Sequence, residues 1–145
     1  MRFANMKKNL ITILLCLLYF VEANAEDYKY VRTYDADGNI VATAKVDQYI
    51  SVKIIELPLM TIASCVSYAK INGSWDCAPW PNFSYEGEHN GWLIFVCSIG
   101  YNTDYFYYRR DGSCIRTTFL AGGNGKYKEF TLSKRPQIDR LGPTK

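Results

Sequence analysis

Between Gly91 and Leu120 the chain reads GWLIFVCSIG, YNT, DYFYYRR, DG, SCIRTTFL: three short runs of strand-favouring residues separated by turn residues. Residues 92–99 (WLIFVCSI) are aromatic and branched, and too few for a stable globular helix. Asp111–Gly112 between two such runs is a hairpin signal, because a type I′ turn needs positive φ at both central residues. Antiparallel pairing about it sets Tyr108 against Ile115 and Phe106 against Thr117. A loop over Gly100–Thr103 sets Ile99 against Asp104 and Cys97 against Phe106. This register gathers Phe95, Cys97, Phe106, Tyr108, Ile115 and Phe119 on a core face. Arg109, Cys114 and Arg116 fall on the other.

The rest of the chain follows the same grammar. Residues 28–34 and 40–45 read as strands about a turn at 35–39, and 48–56 as a third. Residues 60–71 fit helical and strand spacing alike, and their β-branched content with the following Asn72–Gly73 turn favours strand. Residues 75–90 (WDCAPWPNFSYEGEHN) read as a long loop, and 126–132 as the last strand. The expectation is an all-β fold with at most one short helix: a small antiparallel barrel or sandwich of about seven to eight strands, stapled by two disulfides. Locally, YDADGNIVATA resembles one unit of the Tyr-Asp repeats of bacterial shell-forming toxins, which implies a hairpin and nothing more. A calcium loop does not fit the same residues: counted from Asp35, the glycine expected at position six is Ile40 and the glutamate expected at position twelve is Val46.

The first 25 residues have the form of a cleaved signal peptide. Arg2, Lys7 and Lys8 precede an apolar run from Leu10 to Val21, and Ala23-Asn24-Ala25 is a cleavage site. That run is short of the ~20 residues needed to span a bilayer. The expected organisation is a signal peptide over 1–25, one β-rich domain over 26–132 and a flexible C-terminal tail over 133–145. The location is secreted or periplasmic, with no membrane insertion after cleavage. Beyond residue 25 the charge is nearly balanced, 14 basic residues against 13 acidic, which gives no reason to expect nucleic acid. Four cysteines remain there, Cys65, Cys77, Cys97 and Cys114, and an even count in an exported chain points to two disulfides. Opposite faces argue against a Cys97–Cys114 bridge, so exchange with Cys65 and Cys77 is the expected pattern.

No reaction is spelled out. His89 is the only histidine, so no paired-histidine metal site can be assembled, the adjacent Glu88 points away from it in a strand, and cysteines held in disulfides would not serve it as nucleophiles. There is no GxSxG elbow, and GGNGKY at 122–127 lacks the Ser or Thr of a phosphate loop. No cofactor and no metal is implied, and an enzyme is disfavoured. What the composition does offer is surface: eleven tyrosines and three tryptophans beyond residue 25 exceed what a core of this size needs. Exposed Tyr, Trp and Arg anchor protein interfaces or stack on sugars. The candidate binding residues are Trp75, Trp80, Tyr85 and His89 from the 75–89 segment, with Tyr105, Tyr107, Arg109 and Arg116 from the meander. The expected function is a protein-binding module of the inhibitor or immunity type. The alternatives are a carbohydrate-binding protein, or a small glycan hydrolase using carboxylates in the 86–104 region (Glu86, Glu88 or Asp104). Two N-x-S sequons, at Asn72 and Asn82, matter only in a host that glycosylates.

Overall fold

The computed structural model describes residues 25–138. Residues 1–24 of the expected signal peptide and 139–145 of the expected tail lie outside the described residues. Ten strands follow in order: β1 Glu26–Tyr34, β2 Ile40–Thr43, β3 Gln48–Glu56, β4 Thr61–Ile71, β5 Ser74–Pro79, β6 Phe83–His89, β7 Trp92–Ile99, β8 Asn102–Arg109, β9 Cys114–Thr117 and β10 Tyr127–Leu132. All neighbours are antiparallel and there is no helix among the described residues. The segment over 60–71 is strand β4.

The sheet closes on itself. Its path runs β10-β9-β8-β7-β6-β4-β3-β1, and β10 pairs with β1, which makes a ring of eight strands. The two short strands hang outside the ring, β2 on the far half of β1 and β5 on the far half of β4. Closure removes the exposed edges that an open sheet of this size would present. An eight-stranded barrel is just wide enough for side chains to fill. Here Tyr28, Ile50, Phe83, Phe95, Phe106, Ile115 and Phe130 do so, each wholly buried. Their rings meet edge-on or tilted, with Phe83–Phe106 centroids 5.7 Å apart and Phe95–Phe106 6.0 Å apart.

Turn chemistry sets the register. Asn72–Gly73 and Asn90–Gly91 both take positive φ at both residues and close two-residue hairpins between β4 and β5 and between β6 and β7. The Tyr108–Ile115 and Phe106–Thr117 pairs form as expected. Their turn differs from the expected type: Gly112 alone takes positive φ, its N–H bonds the Arg109 carbonyl, and the Asp111 carboxylate accepts the Ser113 N–H. The β7–β8 loop is shorter than expected. Gly100 takes φ +60° and Ile99 pairs with Asn102, so Cys97 meets Asp104 and Phe95 meets Phe106. The slip is two residues, which preserves the pleat, and the expected core face survives intact.

Two expectations are corrected. The 75–90 stretch is not a loop: β5 and β6 occupy most of it, with Trp80, Pro81 and Asn82 between them. Two prolines so close together suggest irregular structure, but Pro79 ends β5 and Pro81 follows it, so they only redirect the chain. The disulfides are also absent. Cys65, Cys77, Cys97 and Cys114 are free thiols, and each stands opposite a different residue: Val52, Tyr68, Asp104 and Thr131. The backbone facing Cys65 across β4 is that of Trp80, three residues from Cys77, which by strand rise is about 10 Å and beyond disulfide reach. Burial pushes the Cys65 thiol well above its usual range, so it is inert. Thiol titration of unfolded residues 26–145 should therefore find four groups, with exposed Cys77 reacting first in the folded protein. Reducing agent should leave Tm unchanged, and a titration finding no thiols would contradict the structure.

Tyr28 ties β1 to the β8–β9 turn by donating its hydroxyl to the Gly112 carbonyl at 2.8 Å. Burial, then the Tyr108 hydroxyl beside it, raises its phenol well above the ordinary value of 10.0. A raised folded pKa means that Tyr28 contributes its full stability below pH ~10 and loses it as pH climbs towards the folded value. Melting curves between pH 7 and 11 should show Tyr28→Phe less stable at neutral pH by about 1 kcal/mol and less sensitive to alkali than the parent.

Candidate functional site

The outward face of β7 to β10 is where aromatic and cationic side chains converge. Two irregularities in the ladder build it. A bulge between Tyr30 and Arg32 reverses the pleat of β1, so Tyr28, Tyr30 and Thr33 are buried while Arg32 and Tyr34 come out beside Glu129 and Tyr127. A second bulge between Tyr85 and Gly87 sets His89 opposite Trp92 on the same outer face. Across β7, β8 and β9 the register adds Trp92 beside Arg109, and Ile94, Tyr107 and Arg116 in a row.

Arg116 is the hub. Its guanidinium lies 5.1 Å from the Trp92 ring centre, 5.4 Å from Tyr34 and 5.7 Å from Tyr127. Its Nε donates to Glu129 Oε2 at 2.9 Å, and the Tyr34 hydroxyl donates to Glu129 Oε1 at 3.2 Å. Arg32 approaches the same carboxylate at 3.9 Å. Burial disfavours the Arg116 charge, but the bond to Glu129 and its charge outweigh that, and its pKa is raised. Arg109 covers Trp92 from 5.0 Å and donates to the Asn90 carbonyl at 3.2 Å. Tyr105 and Tyr107 stack with ring planes 14° apart, and Tyr34 and Tyr127 with planes 22° apart. Between these groups runs a groove of about 320 Å³ lined by His89, Trp92, Ile94, Tyr107, Arg116, Thr118, Gly125 and Tyr127.

Five of the sequence candidates thus meet on one face: His89, Tyr105, Tyr107, Arg109 and Arg116. Three lie elsewhere. Trp80 is a correction, being buried inside the barrel against Phe119 and Phe130, with its backbone N–H on the Cys65 carbonyl. It closes one end of the core, and its removal would report on folding. Trp75 sits on β5 against Tyr49 and under Lys70, on a different part of the wall. Tyr85 packs on Phe95 on the side of β6 opposite the groove. Trp92, Ile94, Tyr127, Tyr34 and Glu129 were not among the candidates. For Trp92 and Ile94 the signal was present: with Phe95 and Cys97 on the core face, alternation puts both outside.

Of the carboxylates named for hydrolysis, Glu88 and Asp104 are already engaged. Glu88 takes both of its oxygens to Arg110 at 2.7 Å, and Asp104 accepts the Thr118 hydroxyl at 3.0 Å. Asp35, which heads the calcium-like sequence, accepts the N–H groups of Asp37 and Asn39 and so serves the turn. Among the described residues no cluster of three or more His, Cys, Asp or Glu is placed to hold a metal. A comparison with family models, with curated proteins and with solved structures finds no match.

Proposed function

We propose that this chain is an exported binding module that recognises another protein through the outward face of β7–β10, in the manner of small inhibitor or immunity proteins. The observation that carries the reading is the Trp92–Arg116 nucleus. It places a tryptophan, two arginines and several tyrosines, the residue types richest in binding hot spots, around one groove. Each is already held by a neighbour, so little side-chain freedom remains to be lost on association. The same stacking weakens the carbohydrate reading, because Trp92, Tyr107 and Tyr127 each have a guanidinium or another ring against them. The barrel interior is filled with aromatic side chains, and this leaves the outer wall as the place for a ligand. Outward positions carry Lys29, Arg32, Lys53, Arg109, Arg116 and Glu129, the inverse of a membrane barrel with its apolar exterior.

The test is capture. The protein, expressed as the full chain and purified after export, is immobilised and exposed to envelope and secreted extract of its source. A stoichiometric protein retained by the parent and by Trp75→Ala, and lost with Trp92→Ala, supports the reading. Retention that is indifferent to Trp92 overturns it.

A further inference from the structure

We infer, resting on the binding reading above, that the groove is built for an acidic segment of a protein partner. A carboxylate side chain would seat on Arg109 and a neighbouring apolar or aromatic side chain would lie in the slot between Ile94 and Tyr127.

The argument starts from charge. On this face Arg32 and Arg116 share a single carboxylate, Glu129, while Arg109 lies over the Trp92 ring. Glu129 is nearly buried and is spent on Arg116, Arg32 and the Tyr34 hydroxyl. Arg109 is left with no carboxylate within ion-pair distance among the described residues. The nearest in sequence, Asp111, is turned to the Ser113 N–H. Yet Arg109 is not a loose surface cation. One edge is held by the Asn90 carbonyl and one face by the Trp92 ring, which fixes the plane of its guanidinium and leaves its remaining N–H donors for a ligand. A planar fork fixed in this way matches a carboxylate in two-point geometry.

The groove beside it supplies the second half of the specificity. Its walls are mainly apolar, formed by Trp92, Ile94, Tyr107 and Tyr127, and Arg116, which also lines it, is paired with Glu129. A bare anion would use the cation and waste the slot, whereas a neutral apolar peptide would fill the slot and leave Arg109 desolvated without a partner. An acidic residue next to a bulky side chain satisfies both at once. Excess positive charge also steers an acidic partner towards the face before contact.

Random copolymers of known composition make the probe. The protein, labelled with nitrogen-15, is titrated with a glutamate–tyrosine copolymer and with a lysine–tyrosine copolymer of matched length, while the Trp92 indole and arginine Nε signals are followed. The glutamate copolymer is expected to shift both sets, to weaken on going from low salt to half-molar salt, and to lose at least tenfold in affinity with Arg109→Gln. Arg109→Lys should fall between, since it keeps the charge and loses the fork. Equal binding of the lysine copolymer, or an Arg109→Gln affinity equal to that of the parent, overturns the inference. So does tighter binding of oligogalacturonate, which would assign the carboxylate to a polysaccharide. The partner from the capture experiment separates this failure from the wider one. Loss of capture with Trp92→Ala, with no response to Arg109→Gln or to salt, sinks the acidic occupant and leaves the binding module standing. Capture indifferent to both variants sinks both.

Discussion

Replacing Phe106 by alanine should lower the unfolding free energy by about 3–5 kcal/mol, the largest single effect expected in this chain. Phe106 is wholly buried near the middle of the barrel, and its ring touches Phe95 on the adjacent strand β7 and Phe83 on β6 beyond it. Removing it deletes two ring–ring contacts and opens a cavity that a closed wall of eight strands cannot collapse to fill. Backbone pairing on both sides of β8, to Phe95 and to Thr117, holds the strand in place while the void remains. With total stability for a domain of this class at about 5–15 kcal/mol, the variant should be marginal at 37 °C. Urea denaturation followed by circular dichroism measures it. A loss below about 1 kcal/mol would mean that the interior is looser than the ring geometry implies.

Alanine at Trp92 should instead leave the barrel standing and cost the partner complex about 2–4 kcal/mol, a fall in affinity of roughly 30- to 1,000-fold. Trp92 is half-buried on the outside of β7, and its indole is the surface on which Arg109 and Arg116 are both arranged. Its removal takes contact area from the partner and also frees two guanidiniums that must then be re-ordered on binding. Most of the change should appear in the dissociation rate. Trp75→Ala is the matched control. That ring packs on Tyr49 away from the groove, and its loss should change affinity less than threefold. Titration calorimetry of both variants against the captured partner decides between them.

These two effects also show how far the sequence could be read. Phe106 was assigned to the core by alternation alone, and the assignment tolerated a loop wrong by two residues because the pleat repeats every two. Strand identity for 48–56 was legible from its alternation, whereas 60–71 fits helix and strand spacing alike and only β-branched content and the Asn72–Gly73 turn favour strand. Closure was not legible, since nothing local marks Tyr127 as the neighbour of Tyr34; that contact joins residues far apart in the chain through the β10–β1 ladder. The site suffered for the same reason. Arg109, Arg116, Tyr105 and Tyr107 come from adjacent strands and could be grouped from one hairpin, whereas Tyr34, Tyr127 and Glu129 arrive only when the barrel closes. Two bulges, at Tyr30/Arg32 and Tyr85/Gly87, each flip a face and have no clear signature in composition. Trp80 misled because prolines on both sides suggested an exposed loop, when the chain in fact turns inward there to cap the core. The cysteines misled through parity of number: four thiols in a chain read as exported invite pairing, and they stand as free thiols.

The most direct measurement on the proposed binding face is oxidative footprinting of the complex, with hydroxyl radicals and mass spectrometry reading tryptophan and tyrosine one by one. The account predicts that partner binding protects Trp92, Tyr107 and Tyr127 together while Trp75 and the fully exposed Tyr101 remain as reactive as in the free protein. Protection of Trp75 or Tyr101 with Trp92 unchanged would place the partner on another part of the wall and contradict it.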